Sequence, residues 1–516
     1  MAEDRSERGE PPSKVQRDGE RPEREVAVDV HGININRLPD EIMINIFSSL
    51  GFNELIDIVQ NVCLRWRRLA HDPTLWLDKE YIVRGRSSIL QGKSCCGVIC
   101  SKCIHCRCES TDEQVLQTAE MVPQLRQLTL MRKIKVDIFR KICTNWPNLT
   151  CLQVDFRQEM TYSLMKHIFE KCPRIKKLKL WTTMLIDQRC MELLSTLEHL
   201  STLQVLLDKL HLTPVKLRLL SDACPRLKEI HIDWNYFAPQ DFDYFLKANK
   251  HTLTSATLLW TVGKEQQKTS VVPLLKQCST SLRKLRLVCF DTPRAMEAVA
   301  FEALGELHGL HELSIQYLGT YEPQLISRAF RPGCLTQLRR LLMQYTTDLL
   351  DETVIAISQG CPNLRELRLC ASYKLTDVAL SEIHCLRHLE ILELSRCNGL
   401  SGTAMAYISQ LPTLHTLILQ CTEDLAKLQP SLRLIVELKE LQCLDILRSG
   451  NIKAVPFGEF PNRLLKLREL RVTYESENDF TELQCKMPNL KISNTAWLTE
   501  DDFPKDEDAD YCHRDG

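Results

Sequence analysis

The chain has 516 residues, with 66 basic against 67 acidic side chains, 44% apolar residues and 23 cysteines. Balanced charge gives no reason to expect nucleic acid as a partner, and no apolar run approaches the ~18 residues of a membrane span. An odd number of cysteines spread from Cys63 to Cys512, with no apolar leader before them, reads as reduced thiols in an intracellular protein, cytoplasmic and/or nuclear. Cys512-His513-Arg514-Asp515-Gly516 sets its cysteine one position too early for prenylation.

Residues 1–34 form a charged head with almost no large apolar side chain, a composition that does not offset the entropy of folding and is expected to be disordered. Residues 35–82 carry a helical pattern. Leu38-Pro39-Asp40-Glu41 places proline and two acids at a helix start, followed by Ile42, Met43, Ile46, Phe47 and Leu50 at three- to four-residue spacing. A second stripe (Leu55, Ile58, Val59, Val62) runs into Cys63-Leu64-Arg65-Trp66-Arg67, and Asp72-Pro73-Thr74-Leu75-Trp76 closes the segment. So short a segment makes a marginal core by itself, so some of these residues are expected to bury against something else.

This phrase resembles an F-box from end to end. The resemblance implies a three-helix module that docks a Skp-type adaptor and through it a cullin-RING ubiquitin ligase. It assigns adaptor contact to Leu38, Pro39, Ile42, Ile46, Phe47, Leu50, Val62, Trp66 and Trp76. The plainer reading is that these residues only form a small helical core.

Residues 83–112 are a cysteine-rich linker. Cys100, Cys103, Cys106 and Cys108 have spacings seen in zinc and iron–sulfur sites, but all the thiols are crowded into one short stretch without a distant second pair. A thiol-bearing linker is the preferred reading, with metal binding and acylation or redox sensing as alternatives, and no cofactor is expected. Gly92-Lys93-Ser94 is not a phosphate loop, because Ser87 stands where the first glycine is required. The histidines form no metal or nucleophile–base pattern, so no catalytic residue is assigned.

From residue 113 to 498 one phrase recurs: an apolar anchor, then apolar residues three and five positions later. Anchors fall at Leu125, Leu149, Ile175, Leu200, Leu227, Leu253, Leu282, Leu310, Leu338, Leu364, Leu389, Leu414, Leu441, Leu467 and, degenerately, Leu490. Alternation within the phrase predicts a strand with one face in the core, and the segment after it predicts a helix, so the units must stack to bury their apolar faces. Proline two residues before many anchors ends the helix. The pattern resembles the cysteine-containing class of leucine-rich repeats, with Cys172, Cys224 and Cys361 at the Cys-Pro helix end. The expected fold is therefore α/β: a leucine-rich-repeat solenoid of about 14–15 strand–helix units after a three-helix F-box.

Positions two, four and six after each anchor face away from the core. They include Lys177, Lys179, Trp181, Lys284, Arg286, Arg340, Glu366 and Arg368, while position seven is aromatic at Trp234, Trp260, Tyr317 and Tyr345. Arginine beside aromatic rings is what protein-binding surfaces favour, so these are the candidate contacts for a protein substrate. Half of the rings are expected instead to pack on the next turn. The acidic tail, residues 499–516, is either a solvated terminus or a segment that crosses this face and meets Lys284, Arg286, Arg340 or Arg368. Together these features predict a non-catalytic substrate receptor of a ubiquitin ligase, with a binding scaffold or inhibitor that works without ubiquitin transfer as the alternative, and a metal or redox sensor at the cysteine cluster able to coexist with the first.

Overall fold

The computed structural model describes residues 35–83, 111–154, 160–182, 188–207, 217–233, 239–261, 272–290, 298–316, 323–346, 349–420, 425–428, 431–473 and 480–493. The head, the cysteine cluster at Cys100, Cys103, Cys106 and Cys108, and the acidic tail lie outside these residues. The chain divides into two compact units after Leu75. The boundary expected after residue 82 thus lies earlier, because Glu80–Val83 is a strand of the second unit.

The first unit is helical: α1 (Asp40–Ser48), α2 (Phe52–Asp57) and α3 (Leu64–Ala70), with 3-10 turns at Ile35–Arg37 and Val59–Asn61. Pro39 precedes α1 with φ −55° and ψ 154°, and Asp40 and Glu41 fill the first turn, where the helix dipole favours negative charge. Met43, Phe47, Leu55, Val59, Leu69, Ala70 and Leu75 are its buried apolar residues among those described.

The second unit is built on one parallel sheet of 16 strands in sequence order. In chain order they are β1 (Glu80–Val83), β2 (Gln127–Leu130), β3 (Cys151–Val154), β4 (Lys177–Thr182), β5 (Thr202–Leu207), β6 (Glu229–Asp233), β7 (Ser255–Thr261) and β8 (Lys284–Phe290). There follow β9 (Glu312–Gln316), β10 (Arg340–Gln344), β11 (Glu366–Cys370), β12 (Ile391–Ser395), β13 (Thr416–Ile418), β14 (Cys443–Ile446), β15 (Glu469–Val472) and β16 (Lys491–Ser493). Strictly sequential parallel pairing is the signature of a solenoid, since each return segment crosses only to the next strand.

Register agrees with the repeat phrase from β2 to β15. Every strand pairs its second post-anchor residue with that of its neighbour, from Gln127↔Cys151 through Arg340↔Glu366 to Cys443↔Glu469. All fifteen anchors are buried. The match ends at β16, where Leu470 pairs with Ile492, two rather than three residues after Leu490. β1 precedes the first anchor and lacks the phrase, which brings the strands to 16 rather than 14–15.

The return segments are α-helices in many units, including α4 (Asp112–Met121), α5 (Val136–Asn145) and α6 (Tyr162–Lys171), but 3-10 turns at Val272–Cys278, Pro323–Phe330, Asp377–Leu380 and Ser431–Glu437. The expected helix of each return segment is thus α in some units and 3-10 in others. Among the described residues no helix is long and apolar enough to cross a membrane.

Cysteines at the helix ends fill space rather than react. Cys172, Cys224 and Cys361 are buried, and burial pushes the Cys224 and Cys361 thiols up to about 12. Beyond the strands, Tyr345, Ala371, Arg396 and Arg448 occupy the seventh post-anchor position with φ of 54°, 57°, 57° and 55°. This left-handed turn aims each amide at the next unit: Tyr345 N donates to the Cys370 carbonyl at 2.8 Å and Ala371 N to that of Ser395 at 2.9 Å. The following residue points inward, where Ser449 Oγ donates to the Leu419 carbonyl at 2.7 Å and the Cys397 thiol to that of Leu369 at 3.6 Å.

Candidate functional site

Two surfaces carry the candidate residues. On the first unit, α1 presents two adjacent apolar faces, one inward and one outward. Met43 and Phe47 form the inward face; Ile42, at 46% exposure, and Ile46 form the outward one. Ile35, Ile58, Val62 and Leu64 are also exposed, Leu64 at 77%. Six exposed aliphatic side chains on so small a unit are more than isolated surface residues require, and such surface is what a protein partner covers.

The predicted adaptor set therefore splits. Pro39, Ile42, Ile46 and Val62 are exposed, and Leu38, Leu50 and Trp66 are half-buried. Phe47, at 1% exposure, and Trp76, at 2%, are core, so their expected place on the docking surface is corrected. Phe47 meets Trp66 edge-on with ring centroids 5.1 Å apart. Trp76 falls in the second unit. Ile35, Ile58 and Leu64 are not among the residues assigned from sequence, although Ile58 lies within the second apolar stripe and Leu64 just after it.

Polar residues hold this surface in shape. Arg65 Nη2 donates to the Leu38 carbonyl at 2.6 Å and to Asp40 Oδ1 at 2.5 Å, and Arg68 Nη2 reaches Asp40 Oδ2 at 2.5 Å. Trp66 Nε1 donates to Asn36 Oδ1 at 2.7 Å. The start of α1 is thereby tied to α3, which fixes the outward face of Ile42 and Ile46 relative to Leu64.

Residues 35–78 match the F-box-like family. Similar solved structures are the yeast Rad7–Elc1 complex, at 18% identity over 74% of this chain and 88% of that chain with a TM-score of 0.42, and a TLR13–ssRNA13 complex, at 16% identity over 73% and 67% with a TM-score of 0.32. An internalin from Listeria monocytogenes follows at 12% identity over 75% and 94%, with a TM-score of 0.31. All three are distant, and the fold rests on the strand register itself.

The second surface is the open face of the sheet, formed by positions two, four and six. From β8 to β12 it is an alternating charge network. Lys284 Nζ lies 3.1 Å from Glu312 Oε2, Arg340 Nε 2.7 Å from Glu366 Oε2, Arg368 Nε 2.5 Å from Glu366 Oε1, and Arg368 Nη1 3.3 Å from Glu393 Oε2. Arg368 is 8% exposed and Glu366 is buried beside it, so their expected exposure is corrected: long side chains on adjacent strands cover one another. Further along, Gln420 Nε2 donates to Asp445 Oδ2 at 2.7 Å, and burial holds the Asp445 carboxyl above its ordinary range.

The β4–β8 stretch differs. Lys177 and Lys284 are exposed, and Lys179, His231 and Arg286 are half-buried. Burial, then the charges of Lys179, Arg286 and Lys177, lower the His231 pKa to about 4, so its ring is neutral at pH 7. Tyr345 is half-buried at its left-handed turn. Trp181 and Trp260 lie in β4 and β7 with side chains outside the description, and Trp234 and Tyr317 lie outside the described residues altogether. Among the described residues, Glu382, His384 and Cys385 are the one group of metal-ligating side chains close enough to share an ion, and sequence spacing had not marked them.

Proposed function

We propose that this protein is the substrate-recognition subunit of an SCF-type ubiquitin ligase, its first unit docking a Skp-type adaptor that joins it to a cullin, and its repeat sheet holding a protein substrate. The exposed Ile42, Ile46, Ile58, Val62 and Leu64, within the stretch that matches the F-box-like family, carry this reading. In it the chain itself does no chemistry. It acts by proximity, keeping a substrate lysine near a ubiquitin carrier brought by the other subunits.

Affinity purification of the full chain beside an Ile42→Glu/Ile46→Glu variant, with mass spectrometry, tests it. Adaptor and cullin should accompany the wild type and be lost from the variant. These exposed positions probe docking better than Leu38 and Pro39, which border the backbone that Arg65 holds. If neither subunit accompanies the wild type, the repeat sheet is to be read as a binding scaffold or inhibitor.

A further inference from the structure

The fourth post-anchor position forms a continuous row across the strands. Register places Gln153, Lys179, Gln204, His231, Thr257, Arg286 and Ser314 side by side on successive strands β3 to β9. Every member is a hydrogen-bonding or cationic side chain and none is a carboxylate. Beyond Ser314 the row meets Leu342 and then the Arg368–Glu366–Glu393 network.

We propose that this row binds an extended acidic segment of a partner protein, laid across the strands with one carboxylate at Lys179 and another at Arg286. The inference rests on the reading that this sheet takes a protein substrate, and specifies the substrate's chemistry. Lys179 and Arg286 stand four strands apart, about 19 Å, which an extended chain spans in about six residues. Between them the half-buried Gln204 and His231 offer hydrogen-bonding groups rather than charge, suited to a peptide backbone or polar side chains, while Thr257 is buried. Among the described side chains, two neighbouring carboxylates oppose a uniformly charged polyanion: Glu229, which accepts from Thr202 Oγ1 at 3.3 Å, and Glu312, which pairs with Lys284. Sparse cations with carboxylates alongside fit spaced acidic side chains better than the closely spaced phosphates of a nucleic acid strand.

Cations act on His231 of β6 from both sides, Lys179 and Lys177 from β4 and Arg286 from β8.

Fluorescence anisotropy of the full chain tests the inference with three labelled twelve-residue Gly/Ser probes: one with two glutamate pairs six residues apart, one with the same glutamates adjacent, and one with lysines in their place. The spaced acidic probe should bind at least tenfold more tightly than the other two. Lys179→Glu and Arg286→Glu should each weaken it at least tenfold, Arg286→Lys should retain it, and Lys171→Glu on α6 should leave it unchanged. Should Arg286→Glu fail to fold, the exposed Lys177→Glu replaces it and should weaken binding several-fold. Equal binding of spaced and adjacent probes, tighter binding of a single-stranded oligonucleotide of equal charge, or binding only after removal of residues 499–516, which would give the row to this chain's own tail, would each overturn the proposal. Adaptor capture by the same protein separates the two readings: adaptor without probe binding sinks only the acidic-segment assignment, and probe binding without adaptor sinks only the ligase reading.

Discussion

Arg65 on α3 grips the start of α1, its Nη2 lying 2.5 Å from Asp40 Oδ1 and 2.6 Å from the Leu38 carbonyl. Both partners are partly exposed, which tempers the ion pair, but the guanidinium also satisfies backbone at the entry to α1. Arg65→Ala should cost the helical unit about 1–3 kcal/mol, and a lysine should not restore it because one ammonium does not serve both acceptors in a plane. Amide hydrogen exchange checks this: protection in α1 and α3 should fall while that of β9 to β15 is unchanged.

Faces of α1 should separate stability from docking. Phe47→Ala should destabilise the unit by about 3–5 kcal/mol through loss of buried volume, whereas Ile42→Glu and Ile46→Glu should change it by less than about 0.5 kcal/mol and still abolish adaptor binding. Paired denaturation and adaptor titration read both effects. An Ile42→Glu chain that unfolds would move this residue from the surface to the core.

Within the sheet, Arg368 and Glu366 behave as a buried pair. Removing the arginine alone, as Arg368→Ala, leaves Glu366 paired with Arg340 and takes the guanidinium from Glu393, and should cost about 1–3 kcal/mol. A double-mutant cycle by urea denaturation measures the coupling, and any loss of substrate binding in Arg368→Ala should follow stability rather than contact.

His231 gives the solenoid a pH dependence of known sign. Its pKa of about 4 in the folded chain lies below the ordinary 6.5, so between those values the unfolded chain binds more protons. The resulting stability is fully present above pH 6.5 and is lost as pH falls towards 4, amounting to roughly 3 kcal/mol. His231→Gln should lose less stability than the wild type over this window, as read from urea midpoints at pH 7, 5.5 and 4.5.

Arg448 is exposed at φ 55°, its amide donating to Thr473 Oγ1 at 2.6 Å. Glycine adopts this conformation without a Cβ clash, so Arg448→Gly should stabilise the C-terminal repeats by about 0.5–1 kcal/mol. A lowered urea midpoint would show that the arginine side chain contributes more than the turn costs.

Much of this architecture is legible in the chain because alternation and repeat length report directly on register. Leu125 to Leu467 mark where each strand turns inward, and the pairings follow them. Legibility fails where the phrase is absent or shifted: Glu80–Val83 pairs with β2 without carrying the phrase, and the last strand starts one residue early relative to Leu490. Direction is also not exposure. Arg368 points away from the core as expected yet is enclosed by Glu366 and Glu393, and the stripe on α1 holds both Phe47 and Ile46 without saying which side faces a partner.

The adaptor claim is tested most directly by co-expressing the full chain with a Skp-type adaptor and comparing amide exchange of the purified complex with that of the free chain. Stable co-elution with new protection confined to residues 35–76, strongest around Ile42, Ile46 and Leu64, is the predicted result. Failure to form a complex, or protection on the open face of β4 to β8 with none on α1, would contradict it.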